Sequence, residues 1–133
     1  MNEIYQNMLS AYDLSTDQAK RNATFEVNQQ IILAGLYQGG FFEKAAFYGG
    51  TCLRIFHGLN RFSEDMDFSL LNKDESFDFS QYFQPIIDEF DAIGRRVDIQ
   101  KKDKKNFGKV ESAFLKDTTD VYDISFQTEI SLN

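Results

Sequence analysis

The sequence predicts an α+β fold in which helices and short strands alternate within a single domain, residues 1–133. Its length of 133 residues is close to the commonest size of one domain. Hydrophobic residues make up 42% and charged residues 26%, a balance that is typical of globular chains and not of disordered ones. Two long segments have apolar residues at helical spacing, and several short segments have the alternation or the apolar runs of strands.

Two helices are predicted in the first forty residues. The four-residue spacing of apolar side chains from Ile4 predicts a short amphipathic helix that ends near Leu14. A longer helix is predicted to follow, with Ser15 as its N-cap and Gln18 completing a capping box. Its apolar stripe has helical spacing and stops at two glycines: Phe25, Ile32, Leu33, Leu36 and then Gly39–Gly40.

The middle of the chain predicts a strand, a short helix and a second strand. Ala45–Tyr48 is short and apolar and runs into two glycines, as a buried strand that ends in a tight turn would. Residues 51–57 predict a short helix that ends at Gly58. Residues 65–70 alternate apolar with polar side chains, the pattern of a strand with one buried face.

A second long helix is predicted after residue 77. Its N-cap is Asp78 or Ser80, and Gly94 ends it. Residues 97–101 and 109–115 then predict two strands of a hairpin.

The last thirteen residues also have strand character. We predict two separate strands there, over residues 121–126 and 128–132. Because no polar or breaker-rich ending follows, we expect the chain to be the N-terminal portion of a longer protein.

Composition and charge exclude several classes of protein. The single cysteine, Cys52, rules out an internal disulfide, and the expected compartment is the cytoplasm. No apolar run approaches the roughly 18 residues that cross a bilayer. The net charge of −7 means that any nucleic acid would have to be held by a local basic patch.

The residues that predict chemistry lie between Phe47 and Phe68. Asp65 and Asp67 are separated by one apolar residue on a predicted strand, so their side chains project from the same face, about 7 Å apart at their roots. Paired carboxylates of this kind bind hard divalent cations such as Mg²⁺. Taken alone, this motif is usually the solvated face of an edge strand.

A predicted phosphate-binding turn precedes the two aspartates. Gly49 and Gly50 have no Cβ, so the backbone can approach phosphate oxygens closely. Thr51 offers a hydroxyl and an N–H at the start of a helix, where an anion is favoured. Arg61 and Ser63 lie on the approach to the metal-binding strand and are further candidates to contact phosphate. A lone glycine pair is most often only a turn, and it is the combination with the aspartates that favours a functional site.

These residues resemble a known family. Phe47–Arg54 and Arg61–Phe68 are similar to the AbiEii/AbiGii-type toxin family of the nucleotidyltransferase (polymerase-beta-like) superfamily, and Ser112–Lys116 also resembles that family. The resemblance implies a nucleotidyltransferase-like mixed β-sheet flanked by helices. It also implies an enzyme that transfers a nucleotide from a nucleoside triphosphate (NTP) to an acceptor.

The resemblance further implies the partners and the role of each site residue. Gly50 and Thr51 would bind the triphosphate, and Asp65 and Asp67 would bind Mg²⁺ or Mn²⁺. The acceptor would be RNA, with tRNA as one candidate. The protein would be the toxin of a bacterial toxin–antitoxin or phage-defence system, with a cognate antitoxin as partner.

Enzymes of this kind carry a third carboxylate on a neighbouring strand, which helps to activate the attacking hydroxyl. Asp123 is the catalytic candidate, and Glu129 or a residue beyond Asn133 are the alternatives. Were the acid to lie beyond Asn133, this chain alone would be inactive. The alternative function is therefore a catalytically incomplete module of the same fold that binds nucleotide or a partner.

Overall fold

The computed structural model describes residues 3–59, 62, 64–72, 74, 76–101, 111–119 and 124–132. The helices and strands are, in chain order, α1 (Glu3–Ser10), α2 (Asp17–Gln38), β1 (Ala45–Tyr48), α3 (Gly49–His57), β2 (Met66–Leu70), α4 (Phe83–Ala92), β3 (Asp98–Lys101), β4 (Glu111–Thr119) and β5 (Ile124–Leu132). Short 3₁₀ segments at Phe41–Glu43 and Phe79–Tyr82 precede β1 and α4.

The five strands form one mixed sheet in the order β1-β2-β5-β4-β3. Strands β2 and β5 run parallel, with Met66 opposite Ile130 and Asp67 opposite Ser131. The other three pairs of neighbouring strands are antiparallel. The prediction of an α+β fold with a mixed sheet flanked by helices is therefore confirmed.

The two faces of the sheet differ in polarity. The inner face is apolar and contributes to the core together with the helices; its fully buried members include Met66, Phe68, Leu115 and Ile130. The outer face is more polar and at least partly exposed. Because residues paired across strands share a face, the register places five residues together on it: Tyr48, Asp67, Ser69, Glu129 and Ser131. Because side chains alternate between the two faces along β2, Met66 and Phe68 lie in the core while Asp67, a candidate metal ligand, lies on the outer face.

Helix α2 is the central helix of the core and lies directly against α4. Gly35 permits this approach, because a Cβ built on it would lie 2.5 Å from the Cα of Ile86. The predicted apolar stripe and the predicted end are both confirmed, since α2 ends at Gln38 with Gly39 as its C-cap. Phe41 is fully buried beside α2 and contacts several other aromatic rings, among them Phe68 and Tyr82.

The first helix is shorter than predicted, and the cap of the second lies one residue later. Helix α1 ends at Ser10 and not near Leu14. The backbone N–H of Ser15 donates to the carboxylate of Asp13, which forms a local turn in place of a further helical turn. The N-cap of α2 is Thr16, whose hydroxyl accepts from the Ala19 N–H at 3.0 Å.

Two strand predictions were too short. Strand β4 runs to Thr119 and not to residue 115, because Arg95 neutralises the buried carboxylate of Asp117 at 2.7 Å. The two predicted tail strands are one strand, β5. Thr128 faces the core there and donates its hydroxyl to the backbone carbonyl of Glu64, so a polar residue occupies an inward position.

No helix among the described residues has the length and apolar character required to cross a membrane.

Candidate active site

The turn between β1 and α3 brings the glycine pair against Asp67. Tyr48, the last residue of β1, is the antiparallel partner of Asp67. Gly49 follows with φ +86°, a conformation that favours glycine. A Cβ built on Gly49 would lie 3.1 Å from Oδ2 of Asp67. The backbone of the turn therefore lies so near this carboxylate that a side chain at residue 49 would be in tight contact with it.

Helix α3 includes the two glycines, Gly49 and Gly50, whereas the sequence predicted a helix that starts after them, at residue 51. Helix α3 starts at Gly49 and its N-cap is Tyr48, in an extended conformation and without a side-chain capping hydrogen bond in the described structure. The first amides of a helix have no partner within the helix, and the helix dipole adds positive potential there. The N–H groups of Gly49, Gly50 and Thr51 thus lie where an anion is stabilised, next to Asp67.

Thr51 joins the helix to the strand that carries the aspartates. Its side chain is buried, and its hydroxyl donates to the backbone carbonyl of Asp65. The hydroxyl proton is therefore directed at the protein backbone, while the Thr51 N–H remains part of the first turn of α3. This hydrogen bond sets the position of β2 relative to the helix N-terminus.

Three carboxylates share this end of the outer face. Asp65 immediately precedes β2, Asp67 lies within it, and Glu129 lies on the parallel neighbour β5. Burial raises the pKa of the Asp67 carboxyl above its usual value, and the charges of Asp65 and Glu129 raise it further. The site therefore concentrates negative charge around a partly desolvated carboxylate, an arrangement that a divalent cation would stabilise.

The donor set fits a hard divalent cation that is shared with a substrate. Among the residues that the structure describes, no three His, Cys, Asp or Glu side chains are arranged to hold a metal ion by themselves. Mg²⁺ usually takes one or two protein carboxylates, together with water and substrate phosphates. Asp65 and Asp67 supply such carboxylates, and the helix N-terminus beside them supplies donors for the phosphates.

The predicted site residues divide into two groups. Gly49, Gly50, Thr51, Asp65 and Asp67 meet where β1, α3 and β2 adjoin. Three further predicted residues lie outside the described part of the chain, namely Arg61, Ser63 and Asp123. Glu129, the alternative third acid, belongs to the first group.

Sequence reasoning did not identify three contacts at or near the candidate site. The close approach of Gly49 to Asp67 joins residues on neighbouring strands, and only the β1–β2 register reveals it. The side chain of Arg54 donates to Glu26 at 2.8 Å and to the carbonyl of Leu59 at 2.9 Å. Arg54 lies shortly after the glycine pair and ends the segment Phe47–Arg54 that resembles the family, and these were the signals in the sequence.

Residues 31–131 match the family described as nucleotidyl transferase AbiEii toxin, type IV TA (toxin–antitoxin) system. The chain belongs to the AbiEii toxin family. The family that the two motifs predicted is thereby confirmed, and the match contains every residue proposed for the site. No curated protein matches this AbiEii chain.

Two solved structures share the fold of the AbiEii chain. JHP933 from Helicobacter pylori is 20% identical with a TM-score of 0.62, and the match covers 89% of this chain and 44% of JHP933. A candidate nucleotidyltransferase from H. pylori is 21% identical with a TM-score of 0.58, and the match covers 89% of this chain and 46% of that protein. The AbiEii chain thus spans less than half of the length of either protein.

Proposed function

We propose that the protein is a Mg²⁺-dependent nucleotidyltransferase that moves a nucleotide from an NTP to an acceptor, as the toxin of a bacterial toxin–antitoxin or phage-defence system. The observation that carries the proposal is the contact between the N-terminus of α3 and Asp67, with Asp65 and Glu129 nearby. A phosphate-binding element and carboxylate ligands are thereby adjacent. Membership of the AbiEii family supports the reaction class and the toxin role.

Asp65 and Asp67 would hold the metal ion, Mg²⁺ or Mn²⁺. When bound, the ion supplies positive charge to the phosphates and to the pyrophosphate that leaves. The two aspartates would keep the ion at the outer face of the sheet, because Met66 between them is fully buried and fixes the orientation of the strand.

The phosphates would be bound by the first turn of α3. The N–H groups of Gly49, Gly50 and Thr51 donate to the triphosphate oxygens, and the absence of a Cβ at Gly49 lets the backbone approach. Arg61 and Ser63 remain predicted phosphate ligands on the basis of their place in the sequence.

The third carboxylate is proposed to be Glu129, in preference to Asp123. Glu129 shares the outer face with Asp67 and raises the pKa of that carboxyl. Asp123 lies outside the described residues. The acceptor hydroxyl would pass its proton to a carboxylate as its oxygen bonds to the α-phosphorus, and the bond to pyrophosphate would break in line.

The acceptor is proposed to be RNA, with tRNA as the first candidate. The test uses the full-length gene product and measures transfer of a labelled nucleotide from each of the four NTPs to bulk tRNA. Asp67→Asn, Asp65→Asn and Glu129→Gln should each lower transfer at least 100-fold, since removal of a single catalytic interaction typically costs about that much. Transfer by Asp67→Asn at the wild-type rate would refute the proposal.

A matched control lies on the same face of the sheet. Asp98 is an exposed aspartate on β3, paired with Lys116 on β4 and separated from β2 by two strands. Asp98→Asn makes the same chemical change away from the glycine turn and should leave transfer unchanged. Loss of transfer in this variant would mean that the assay reports general charge and not the proposed site.

The second candidate function is a catalytically incomplete module that binds nucleotide or a partner. NTP binding without turnover, measured calorimetrically in the gene-encoded protein with Mg²⁺ present, would establish this alternative. Turnover that depends on Asp67 would exclude it.

The cellular role is part of the same proposal. The family supports an antitoxin encoded with this toxin, and the single cysteine supports action in the cytoplasm. Expression of the protein alone should arrest bacterial growth, whereas Asp67→Asn should not. Arrest by both forms would separate toxicity from nucleotidyl transfer.

A further inference from the structure

The segment between α3 and β2 is held by hydrogen bonds to its backbone carbonyls. The carbonyl of Leu59 accepts from Nη1 of Arg54 at 2.9 Å. The carbonyl of Glu64 accepts from Nε2 of Gln29 at 3.1 Å and from the hydroxyl of Thr128. Both ends of the segment that leads to Asp65 are therefore fixed by side chains from other elements.

Arg54 makes three kinds of contact at once. Its Nε donates to Oε1 of Glu26 at 2.8 Å, and its Nη1 donates to Leu59. Its Cζ lies 3.9 Å from the centroid of the Phe62 ring, at stacking distance. Only a planar guanidinium with several donors can make all three contacts, and a lysine ammonium cannot.

The carboxylate that anchors Arg54 is itself fixed. Glu26 is 5% exposed and lies on α2, the central helix of the core. Tyr12 adjoins it, and burial together with a hydrogen bond to Glu26 raises the pKa of the Tyr12 phenol to about 12. Gln30 donates to the same phenol at 2.9 Å. Glu26 therefore belongs to a packed polar network, and its position defines that of Arg54.

Helix α3 connects both halves of the site. Near its N-terminus, the Thr51 hydroxyl is bonded to the carbonyl of Asp65. One turn later, Arg54 holds Leu59 and Phe62, which flank Asn60 and Arg61 in the sequence. The same helix thus carries the amides proposed for phosphate and the guanidinium that secures the approach to the metal-binding strand.

We propose that Arg54 is a positioning residue, which holds Leu59 and Phe62 so that the aspartates stay in place beside the N-terminus of α3. This inference rests on the proposed function of Asp65 and Asp67 as metal ligands. Arg54 contacts neither ligand and acts through Leu59 and Phe62. Its loss is expected to weaken metal binding, and not merely to lower stability.

The main test variant is Arg54→Lys, which keeps the charge but cannot form the three contacts. Metal affinity is measured with Mn²⁺ by electron paramagnetic resonance, and the segment is followed by hydrogen exchange of the Leu59 amide, which donates to Leu53 at 3.1 Å. We expect about tenfold weaker Mn²⁺ binding and about tenfold faster exchange, as for the loss of one hydrogen bond to a charged group. The Mg²⁺ concentration for half-maximal transfer should rise by the same factor.

A second variant covers the case in which a buried charge prevents folding. Arg54→Met with Glu26→Gln removes both charges of the pair and should give the same weakening of Mn²⁺ binding. The matched control is Arg95→Lys, because Arg95 also pairs with a buried carboxylate, Asp117, and lies 4.7 Å from the centroid of the Tyr5 ring. This control should lower the melting temperature and leave Mn²⁺ affinity unchanged.

The outcomes separate the two claims. Wild-type Mn²⁺ affinity in Arg54→Lys, or equal weakening in Arg95→Lys, would overturn the role of Arg54. Unchanged Mn²⁺ binding in Asp67→Asn would instead show that the proposed metal site is wrong. In that case the exchange of the Leu59 amide still decides whether Arg54 fixes the segment, and an unchanged rate would overturn that as well.

Discussion

Substitution of Gly49 by alanine is the sharpest single test of the candidate site. At φ +86° an alanine is strained by about 1–2 kcal/mol. The new Cβ would also lie 3.1 Å from Oδ2 of Asp67, closer than nine in ten real Cβ contacts, so that the carboxylate must move by a few tenths of an ångström. Metal sites tolerate displacements of only about 0.2 Å in ligand distances. Gly49→Ala should therefore lose stability and also weaken Mn²⁺ binding about tenfold or more.

Gly58 provides the control for backbone strain at the other end of the same helix. It has φ +70° as the C-cap of α3, and a Cβ built on it would meet nothing within 4 Å. Gly58→Ala should therefore lose the same 1–2 kcal/mol, or about 3–8 °C in melting temperature, and keep wild-type Mn²⁺ affinity. Thermal denaturation and Mn²⁺ titration of both variants are the assays. Equal Mn²⁺ affinity in Gly49→Ala and Gly58→Ala would refute the argument that Asp67 depends on the absence of a side chain at residue 49.

Three further variants test the packing and the titration behaviour. Gly35→Ala should destabilise the fold by about 3 kcal/mol in urea unfolding, because its Cβ would overlap the backbone of Ile86 at 2.5 Å and force α2 and α4 apart; a loss below about 1 kcal/mol would contradict the close contact. Thr51→Val should cost about 1–2 kcal/mol by removing the donor to the Asp65 carbonyl, whereas Thr51→Ser should retain most of the stability. Burial and a neighbouring carboxylate raise the pKa of Tyr12 to about 12, so the unfolded phenol ionises near 10 while the folded one stays neutral, and stability should fall as the pH rises from 10 to 12. Tyr12→Phe should reduce that fall, and urea midpoints between pH 9 and 12 that match wild type at every pH would argue against the shift.

The elements with an uninterrupted apolar pattern were predictable from the sequence. Helix α2 has a continuous stripe and a glycine at its end, and both the stripe and the end are found as predicted. Strand β2 alternates regularly, with Met66 and Phe68 inward and Asp67 outward. In these segments local pattern and tertiary burial favour the same structure.

The errors in the strands occur where polar residues are buried with a partner far away in the sequence. The carboxylate of Asp117, in the part of β4 that was not predicted, can be buried because Arg95 pairs with it. The side chain of Thr128 on β5 can face the core because its hydroxyl donates to the carbonyl of Glu64. A polar residue at an inward position breaks the periodicity that sequence reasoning relies on. Its partner cannot be identified before the fold is known.

The residues of the candidate site could be proposed from the sequence, but the choice between Glu129 and Asp123 as third carboxylate could not be made from it. The motifs indicated Asp65, Asp67 and the glycine pair, because the chemistry requires those residue types at short spacing. The choice of Glu129 over Asp123 depends on β2 pairing in parallel with β5, a contact between segments that are far apart in the chain. No local pattern specifies which strand inserts beside β2.

The place of β5 in the sheet also bears on when the protein can act during its synthesis. This strand leaves the ribosome after the other four, yet it inserts between β2 and β4. Closing the long loop from Met66 to Ile130 has a high entropic cost, so the insertion is expected to be a late event in folding. If the proposed function holds, the nascent chain has Asp65 and Asp67 without Glu129 beside them until translation has passed residue 132. The toxin would therefore become active only after that point.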